Sequence, residues 1–260
     1  MTELALYDGS VLPGVTMVVM AKPAVPGRVK TRLMPDLNAV QAAAVHGAML
    51  RCVVERLNTL NAPQIRVNKL LALDFADEAE LNTALRQPAR VFGDQAYSMP
   101  KMTGWRAIGQ GSGDLGARME RIWRSIGGGP AVFLGVDSPD VPADALLDAV
   151  RIAFGRDDGL DGAVGPAADG GYWTLASRAL MPAVLREIDW GGPRVLAQTL
   201  AAAVEAGLCF KTLATWYDVD TPSDLAALRT RLAGLDQGPH DDALPRLRQQ
   251  LDLIRGKMQP

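Results

Sequence analysis

Only two cysteines and two histidines occur among the 260 residues. That is too few for a disulfide framework or for an ordinary zinc centre. Cys52 and Cys209 stand far apart in apolar surroundings, so reduced thiols and a cytoplasmic setting are expected. No run approaches the ~20 apolar residues that cross a bilayer, and no membrane span is expected. The first residues carry acids, Glu3 and Asp8, without a basic stretch, so no secretory signal is expected either. Net charge is small, at -2, which removes any global attraction to nucleic acid or anionic lipid. An anion site in such a chain has to be local.

What is present is an ordinary globular balance, 48% hydrophobic and 22% charged residues, on a chain long enough to bury a large core. Short apolar runs alternate with longer helical patterns. The runs Val15–Ala21, Leu70–Phe75, Ala131–Val136, Gly162–Gly165, Tyr172–Ala176 and Cys209–Leu213 read as strands. Helical patterns fall over Ala39–Leu60, Asp77–Arg86, Leu115–Ser125, Ala143–Phe154, Pro193–Ala206 and Pro222–Leu232. This alternation predicts an α/β sheet flanked by helices. "AVFLGV" lacks any polar residue, as a strand covered on both faces should. Thr221, Pro222 and Asp224 form a strong helix-start signal.

One main domain is expected over 15–235. Residues 1–14 read as a loose or edge extension, and 236–260 as a tail with a short helix. In that tail Leu244, Leu247, Leu251 and Ile254 form one apolar stripe, suited to docking on its own domain or to a homodimer contact. Residues 94–113, rich in glycine, read as a long functional loop. His46 reads as a packing residue on a helix, and His240 carries no signal.

In open α/β sheets ligands bind beyond the carboxyl ends of the strands. After the first run comes "AKPAVPGRVKTRL", where Lys22, Arg28, Lys30 and Arg32 crowd a turn stiffened by Pro23 and Pro26 and bent at Gly27. Such a turn can hold phosphate oxygens by charge-assisted bonds, or it can be a solvated basic loop. It is not a Walker loop. After the central run comes "DSPD". Asp137 emerges from a buried strand, where a carboxylate suits Mg²⁺ or Mn²⁺ held jointly with substrate phosphates. Asp140 reads as the cap of the helix that follows.

Three further stretches carry signals. "GPAADGGYW" places Asp169 before Gly170 and Gly171, either as a hairpin turn or as a carboxylate where backbone closely approaches a ligand. In "WYDVDTPSDL", Asp218 and Asp220 are read as pointing to opposite sides; Asp220 is assigned to the cleft as second metal ligand, with Asp218 in reserve. "GQGSGDLGARM" is a glycine-rich entry to a helix whose free N–H groups suit a base or a phosphate. One basic loop, two aspartates on different strand ends and a glycine loop together equip a protein for phosphate-ester chemistry on a nucleotide.

"AKPAVPGRVKTRL", "GQGSGDLGARM", "LGVDSPDVP", "GPAADGGYW", "WGGPRVL" and "WYDVDTPSDL", in this order, resemble a bacterial family of the GT-A glycosyltransferase superfamily. Its members are described as arsenosugar-biosynthesis glycosyltransferases or as transferases of unknown substrate. The resemblance runs from Val15 to Leu232 and implies the nucleotide-diphospho-sugar transferase fold, with a mixed, mostly parallel sheet and helices on both faces. More distantly the chain is similar to nucleotidyltransferases that make phospholactate-guanosine conjugates, Kdo-nucleotides or molybdenum-cofactor dinucleotides. Lys22, Gly27 and Arg28 of the basic turn and Gly113, Asp114, Leu115 and Gly116 of the glycine loop are read as surrounding the nucleotide, and the resemblance implies Lys30 and Arg32 at the phosphates. It implies Asp137 and Asp220 on Mg²⁺ or Mn²⁺, and Asp169, Gly170, Gly171, Tyr172 and Trp190 at the transferred or accepting group. "YWTLAS", and Gly191-Gly192 where Ser-Thr is usual, leave the acceptor open.

Three functions follow. The first is glycosyl transfer from a nucleoside-diphosphate sugar to a small acceptor, with Lys30, Arg32, Asp137 and Asp169 carrying the chemistry. "DSPD" is not the Asp-x-Asp usual for that class. The second is nucleotidyl transfer from a nucleoside triphosphate to a phosphorylated molecule, releasing pyrophosphate. The third is nucleotide binding without catalysis. None involves nucleic acid.

Overall fold

The computed structural model describes residues 4–10, 13–75, 77–87, 89–93, 100–156, 159–179, 182–234 and 242–256. His240 and residues 94–99 of the predicted functional loop lie outside them. Among the described residues eight strands form one sheet: β1 (Ala5–Leu6), β2 (Val15–Ala21), β3 (Val67–Leu73), β4 (Trp105–Gly109), β5 (Ala131–Leu134), β6 (Gly162–Pro166), β7 (Tyr172–Ser177) and β8 (Phe210–Thr212). Their spatial order is β1-β4-β3-β2-β5-β7-β6-β8. β7 runs antiparallel to both neighbours and every other pairing is parallel. The sheet is therefore mixed and mostly parallel, as expected.

The α-helices are α1 (Ala39–Thr59), α2 (Glu78–Arg86), α3 (Ala89–Phe92), α4 (Leu115–Ser125), α5 (Ala143–Phe154), α6 (Val195–Glu205), α7 (Pro222–Ala233) and α8 (Ala243–Gly256). Alternation along β2 assigns them to two faces. Val15, Met17 and Val19 join a cluster with Leu50 and Leu57 of α1, Leu81 of α2 and Val150 of α5. Val18 joins the opposite cluster, with Ile122 and Trp123 of α4 and Ala203 of α6. α1 is apolar on a second face as well. Ala42, Val45 and Met49 pack there against Leu228 of α7 and Leu247, Leu251 and Ile254 of α8. The C-terminal stripe thus docks on its own fold.

Two expectations are corrected. The stretch 94–113 contains β4, because Trp105 and Ala107 alternate inward on a half-buried strand, a period that the surrounding glycines obscured. The predicted strand Leu70–Phe75 starts earlier, at Val67, since Val67–Lys69 pair with Val15–Met17 despite their polar members. The N-terminal segment contributes β1, which lies parallel to β4 at the sheet's edge.

Candidate functional site

The parallel strands deliver the loops after β2, β4, β5, β6 and β8 to one edge of the sheet. A cleft of about 640 Å³ opens there between the basic turn, the start of α4 and the end of β5. A second chamber of about 490 Å³ adjoins it. Lys22, Leu115, Gly135, Asp137, Tyr172, Trp173 and Asp220 line both.

Lys30 sits at their junction. Its backbone is left-handed, with φ 49° and ψ 39°, which costs a lysine about 1–2 kcal/mol. That conformation turns the chain into a short 3-10 helix at Thr31–Leu33 and leaves the Lys30 side chain only 5% exposed. Its Nζ lies 2.5 Å from Asp137 Oδ1 and 2.9 Å from Asp220 Oδ1. Burial works against the ammonium, but the two carboxylates outweigh it and hold the Lys30 pKa above the ordinary lysine value. Asp137 answers in kind: burial would raise it, yet Lys30 brings it below the usual carboxylate range. Arg32 is 76% exposed at the rim, with Nη1 at 3.5 Å from Asp220 Oδ2. Arg28 also lines the first cleft.

The late aspartates are seated by backbone bonds. Trp216 N–H donates to the Pro166 carbonyl, and Val219 N–H to the Asp137 carbonyl, both at 2.9 Å. Asp224 then accepts from the N–H groups of Asp220 and Thr221 in a capping box that starts α7. Asp218 and Asp220 both line the second chamber, contrary to the expectation that only one could. Residues two apart on an extended segment share a face. Asp218 accepts from Ser138 Oγ at 2.7 Å. Burial pushes its pKa up to about 6, with Asp169, Asp137 and Asp220 adding to the effect.

Asp140 is not a helix cap. Its side chain is 3% exposed and accepts from Arg231 Nε at 2.6 Å and from Trp216 Nε1 at 3.0 Å. The residue at the start of α5 is Pro142, without a side-chain cap. His46 lines the first cleft and is buried; its Nε2 bonds the Lys22 carbonyl at 2.9 Å. Burial keeps its pKa below the ordinary histidine value.

The glycine loop reaches the cleft through Gly113, Asp114 and Leu115. Asp114 caps α4 by accepting from Ala117 N–H at 2.8 Å. Gly116 does not line either chamber; a Cβ there would lie 2.2 Å from the Leu185 carbonyl oxygen and 2.8 Å from Trp190 Nε1. Gly27 forms an exposed turn at φ 79° beside the cleft rather than in its wall. Asp169 and Gly171 line the second chamber with Trp190, Gly191 and Gly192. Gly170 instead packs its backbone against Pro193. Asp169 Oδ1 accepts from Gly171 N–H at 2.8 Å, which closes the turn. Trp190 meets Tyr172 edge-on at 6.3 Å.

Three residues at the site had no sequence expectation. Arg118 lines the first cleft and bonds Gly113, Gln110 and Asp74. Gln110 is buried and donates to the Ala21 and Ala72 carbonyls, pinning the loop to two strand ends. Trp173 lines both chambers and donates from Nε1 to the Ala214 carbonyl at 3.1 Å. Arg118 was within reach of sequence reading: it follows Asp114 by one helical turn, inside the glycine motif.

Asp137 and Asp220 already share one cation, the Lys30 ammonium, within bonding distance of both. Two carboxylates converging on one point at a strand edge are hard oxygen donors of the kind that Mg²⁺ and Mn²⁺ take. The donor set therefore fits a divalent cation. Among the described residues no group of three His, Cys, Asp or Glu side chains forms a complete protein cage, so the remaining ligands would be water and substrate oxygens.

Residues 73–192 match the family model DUF2064, described as an uncharacterized protein conserved in bacteria. No curated protein matches the chain. A crystal structure from Desulfovibrio desulfuricans G20, provisionally named a nucleotide-diphospho-sugar transferase, is 25% identical; the match covers 93% of this chain and 97% of that one, with a TM-score of 0.71. A cytidylyltransferase from Leptospira borgpetersenii serovar Hardjo-bovis (strain JB197) is 12% identical, over 94% and 95% of the two chains, with a TM-score of 0.50. The chain has the nucleotide-diphospho-sugar transferase fold, as the resemblance implied. No helix among the described residues is long and apolar enough to cross a membrane.

Proposed function

We propose that this protein is a metal-dependent transferase that uses an activated nucleotide, and that it passes a sugar from a nucleoside-diphosphate sugar to a small acceptor. One observation carries the reading. Asp137 and Asp220 converge on one cation exactly where a cation-flanked cleft meets an acid-lined chamber.

The first cleft suits the nucleotide. Lys22, Arg28 and Arg32 supply positive charge to phosphate oxygens, and Gly113, Asp114 and Leu115 bring the start of α4 to the cleft wall. Asp137 and Asp220 would hold the divalent cation, which neutralises diphosphate charge as the leaving group departs. The second chamber suits the acceptor. Asp137, Asp169, Asp218 and Asp220 line it, against Lys22 as its one cationic side chain among the described residues. Asp137 and Asp220 are paired with Lys30 and would hold the cation, so the charge an acceptor meets is that of Asp169 and Asp218 against Lys22, which favours an uncharged or cationic acceptor with hydroxyl groups. Trp190, Trp173 and Tyr172 give it an apolar wall. In glycosyl transfer the bond from the anomeric carbon to the phosphate oxygen breaks and one to the acceptor oxygen forms. Asp169 is the carboxylate assigned to the acceptor's proton.

Nucleotidyl transfer is the second reading. The five cations of the first cleft, Lys22, Arg28, Lys30, Arg32 and Arg118, would suit a triphosphate, but its phosphorylated partner would have to enter the chamber lined by Asp169 and Asp218. A panel of nucleoside triphosphates, diphosphates and diphosphate sugars, each with Mg²⁺, Mn²⁺ or EDTA, tests the choice by thermal shift. Metal-dependent stabilisation by a diphosphate sugar, and release of its nucleoside diphosphate when acceptors are added, is the expected result. Stabilisation by a triphosphate with pyrophosphate release would transfer the conclusion to the second reading. No shift with any nucleotide would overturn both.

A further inference from the structure

The ion trio at the junction has a consequence for the order of binding. Lys30 is nearly fully buried, and its Nζ stands within bonding distance of both carboxylates assigned to the metal. The same oxygens, Asp137 Oδ1 and Asp220 Oδ1, cannot keep an ammonium at 2.5 and 2.9 Å and at the same time take a divalent cation between them, because the two cations would overlap and repel. We propose that Lys30 is a resident cation which closes the metal position in the free protein, so that the metal enters together with a polyphosphate rather than alone. This inference rests on the reading of Asp137 and Asp220 as metal ligands, whichever group is transferred.

Three features support it. First, the free site is already neutralised. An empty pair of half-exposed carboxylates would attract bare metal strongly, but here the Lys30 ammonium takes Oδ1 of each, and Asp220 Oδ2 faces Arg32. Second, Lys30 has somewhere else to go. It lines the first cleft with Lys22, Arg28 and Arg32, so a di- or triphosphate in that cleft offers its ammonium new oxygens as the metal takes the old ones. The exchange leaves no buried charge unpaired. Third, the lysine is held in place by backbone geometry. Its left-handed φ of 49° is uncommon for a residue with a side chain, and the turn it makes leads directly into the 3-10 helix whose Leu33 is fully buried. A conformation this specific, carrying a buried charge on a pair of site carboxylates, marks a functional constraint more than a solvated loop. The role is one of positioning and selection: Lys30 sets which form of the metal binds, and it ends on the phosphates.

The test uses Mn²⁺ alone, inorganic pyrophosphate alone and the two together, with Mn²⁺ binding read by electron paramagnetic resonance. Pyrophosphate serves as the probe because every nucleotide donor considered above carries its phosphate linkage. In the unmodified protein bare Mn²⁺ should bind weakly, and pyrophosphate should tighten it at least tenfold. In K30M the sign reverses for metal alone: bare Mn²⁺ should bind at least tenfold more tightly than in the unmodified protein, while affinity for pyrophosphate with Mn²⁺ falls. K30Q, whose amide can still donate to one carboxylate, provides the same comparison if K30M does not fold, which circular dichroism decides. Unchanged or weaker bare-Mn²⁺ binding in the folded Lys30 variant overturns the proposal, even when Mn²⁺ with pyrophosphate still binds the unmodified protein and the metal-nucleotide reading survives. Failure of Mn²⁺ to bind the unmodified protein under any of these conditions overturns both.

Discussion

The Arg231 guanidinium donates to both oxygens of Asp140, from Nε at 2.6 Å and from Nη2 at 3.2 Å, and so fastens α7 to the loop that carries Asp137. Trp216 adds its indole N–H to the same carboxylate. One buried acid thereby ties three segments behind the site: the loop after β5, the segment after β8, and α7. Removing Arg231 would leave a carboxylate buried with one neutral donor, the costly half of a broken ion pair.

R231M should therefore lower unfolding free energy by about 3 kcal/mol, at the lower end for broken buried pairs because Arg231 itself is a quarter exposed. Urea denaturation measures this. The double variant R231M/D140N should recover part of the loss, since the stranded charge is gone. A single variant as stable as the unmodified protein would mean that the clamp contributes nothing.

Gly116 shows a different kind of constraint, set by space. It occupies the first turn of α4, and a Cβ there would come 2.2 Å from a main-chain oxygen, that of Leu185. Backbone cannot step aside as a side chain can. G116A should destabilise the fold by about 1–3 kcal/mol, the usual range for overpacking. The same Cβ meets the Trp190 indole, so the near-ultraviolet circular dichroism should change as well. Because Trp190 walls the second chamber, any acceptor should then bind more weakly.

The elements that sequence located best are those whose signals are local. β2 runs over Val15–Ala21 as expected because nothing polar but Thr16 interrupts it. α7 starts at Pro222 because Thr221 and Asp224 cap each other within four residues. The site was legible in part for the same reason: the basic turn and the aspartates lie at the carboxyl ends of strands, where topology alone places ligands. What was not legible is pairing across the chain. Asp140 meets Arg231 at a separation of 91 residues, and Lys30 meets Asp220 at 190. Neither partner is marked by any nearby residue. β4 was missed because glycine and polar neighbours hide a short strand whose inward residues are only Trp105 and Ala107. Asp218 was held in reserve by an error of periodicity, since the i and i+2 positions of an extended segment face one way.

Asp218 gives the protein a pH dependence of known sign. Its carboxyl titrates at about 6 in the folded protein, against 3.8 for the free group, chiefly because it is buried and secondarily because Asp169, Asp137 and Asp220 surround it. Below pH 3.8 the group is protonated in both folded and unfolded chains and imposes no penalty. As pH rises from there through about 6, the unfolded chain gives up the proton freely while the folded one holds it. Stability is lost across that window and the loss is complete above it. D218N cannot ionise and keeps an oxygen that can accept from Ser138 Oγ. It should be more stable than the unmodified protein at pH 8 by roughly 1–2 kcal/mol, after discounting the partial exposure of the site. The two proteins should converge near pH 4. Denaturant midpoints at pH 4, 6 and 8 measure the difference directly. A gap that stays constant with pH would show that Asp218 does not carry the charge that the neighbouring carboxylates oppose.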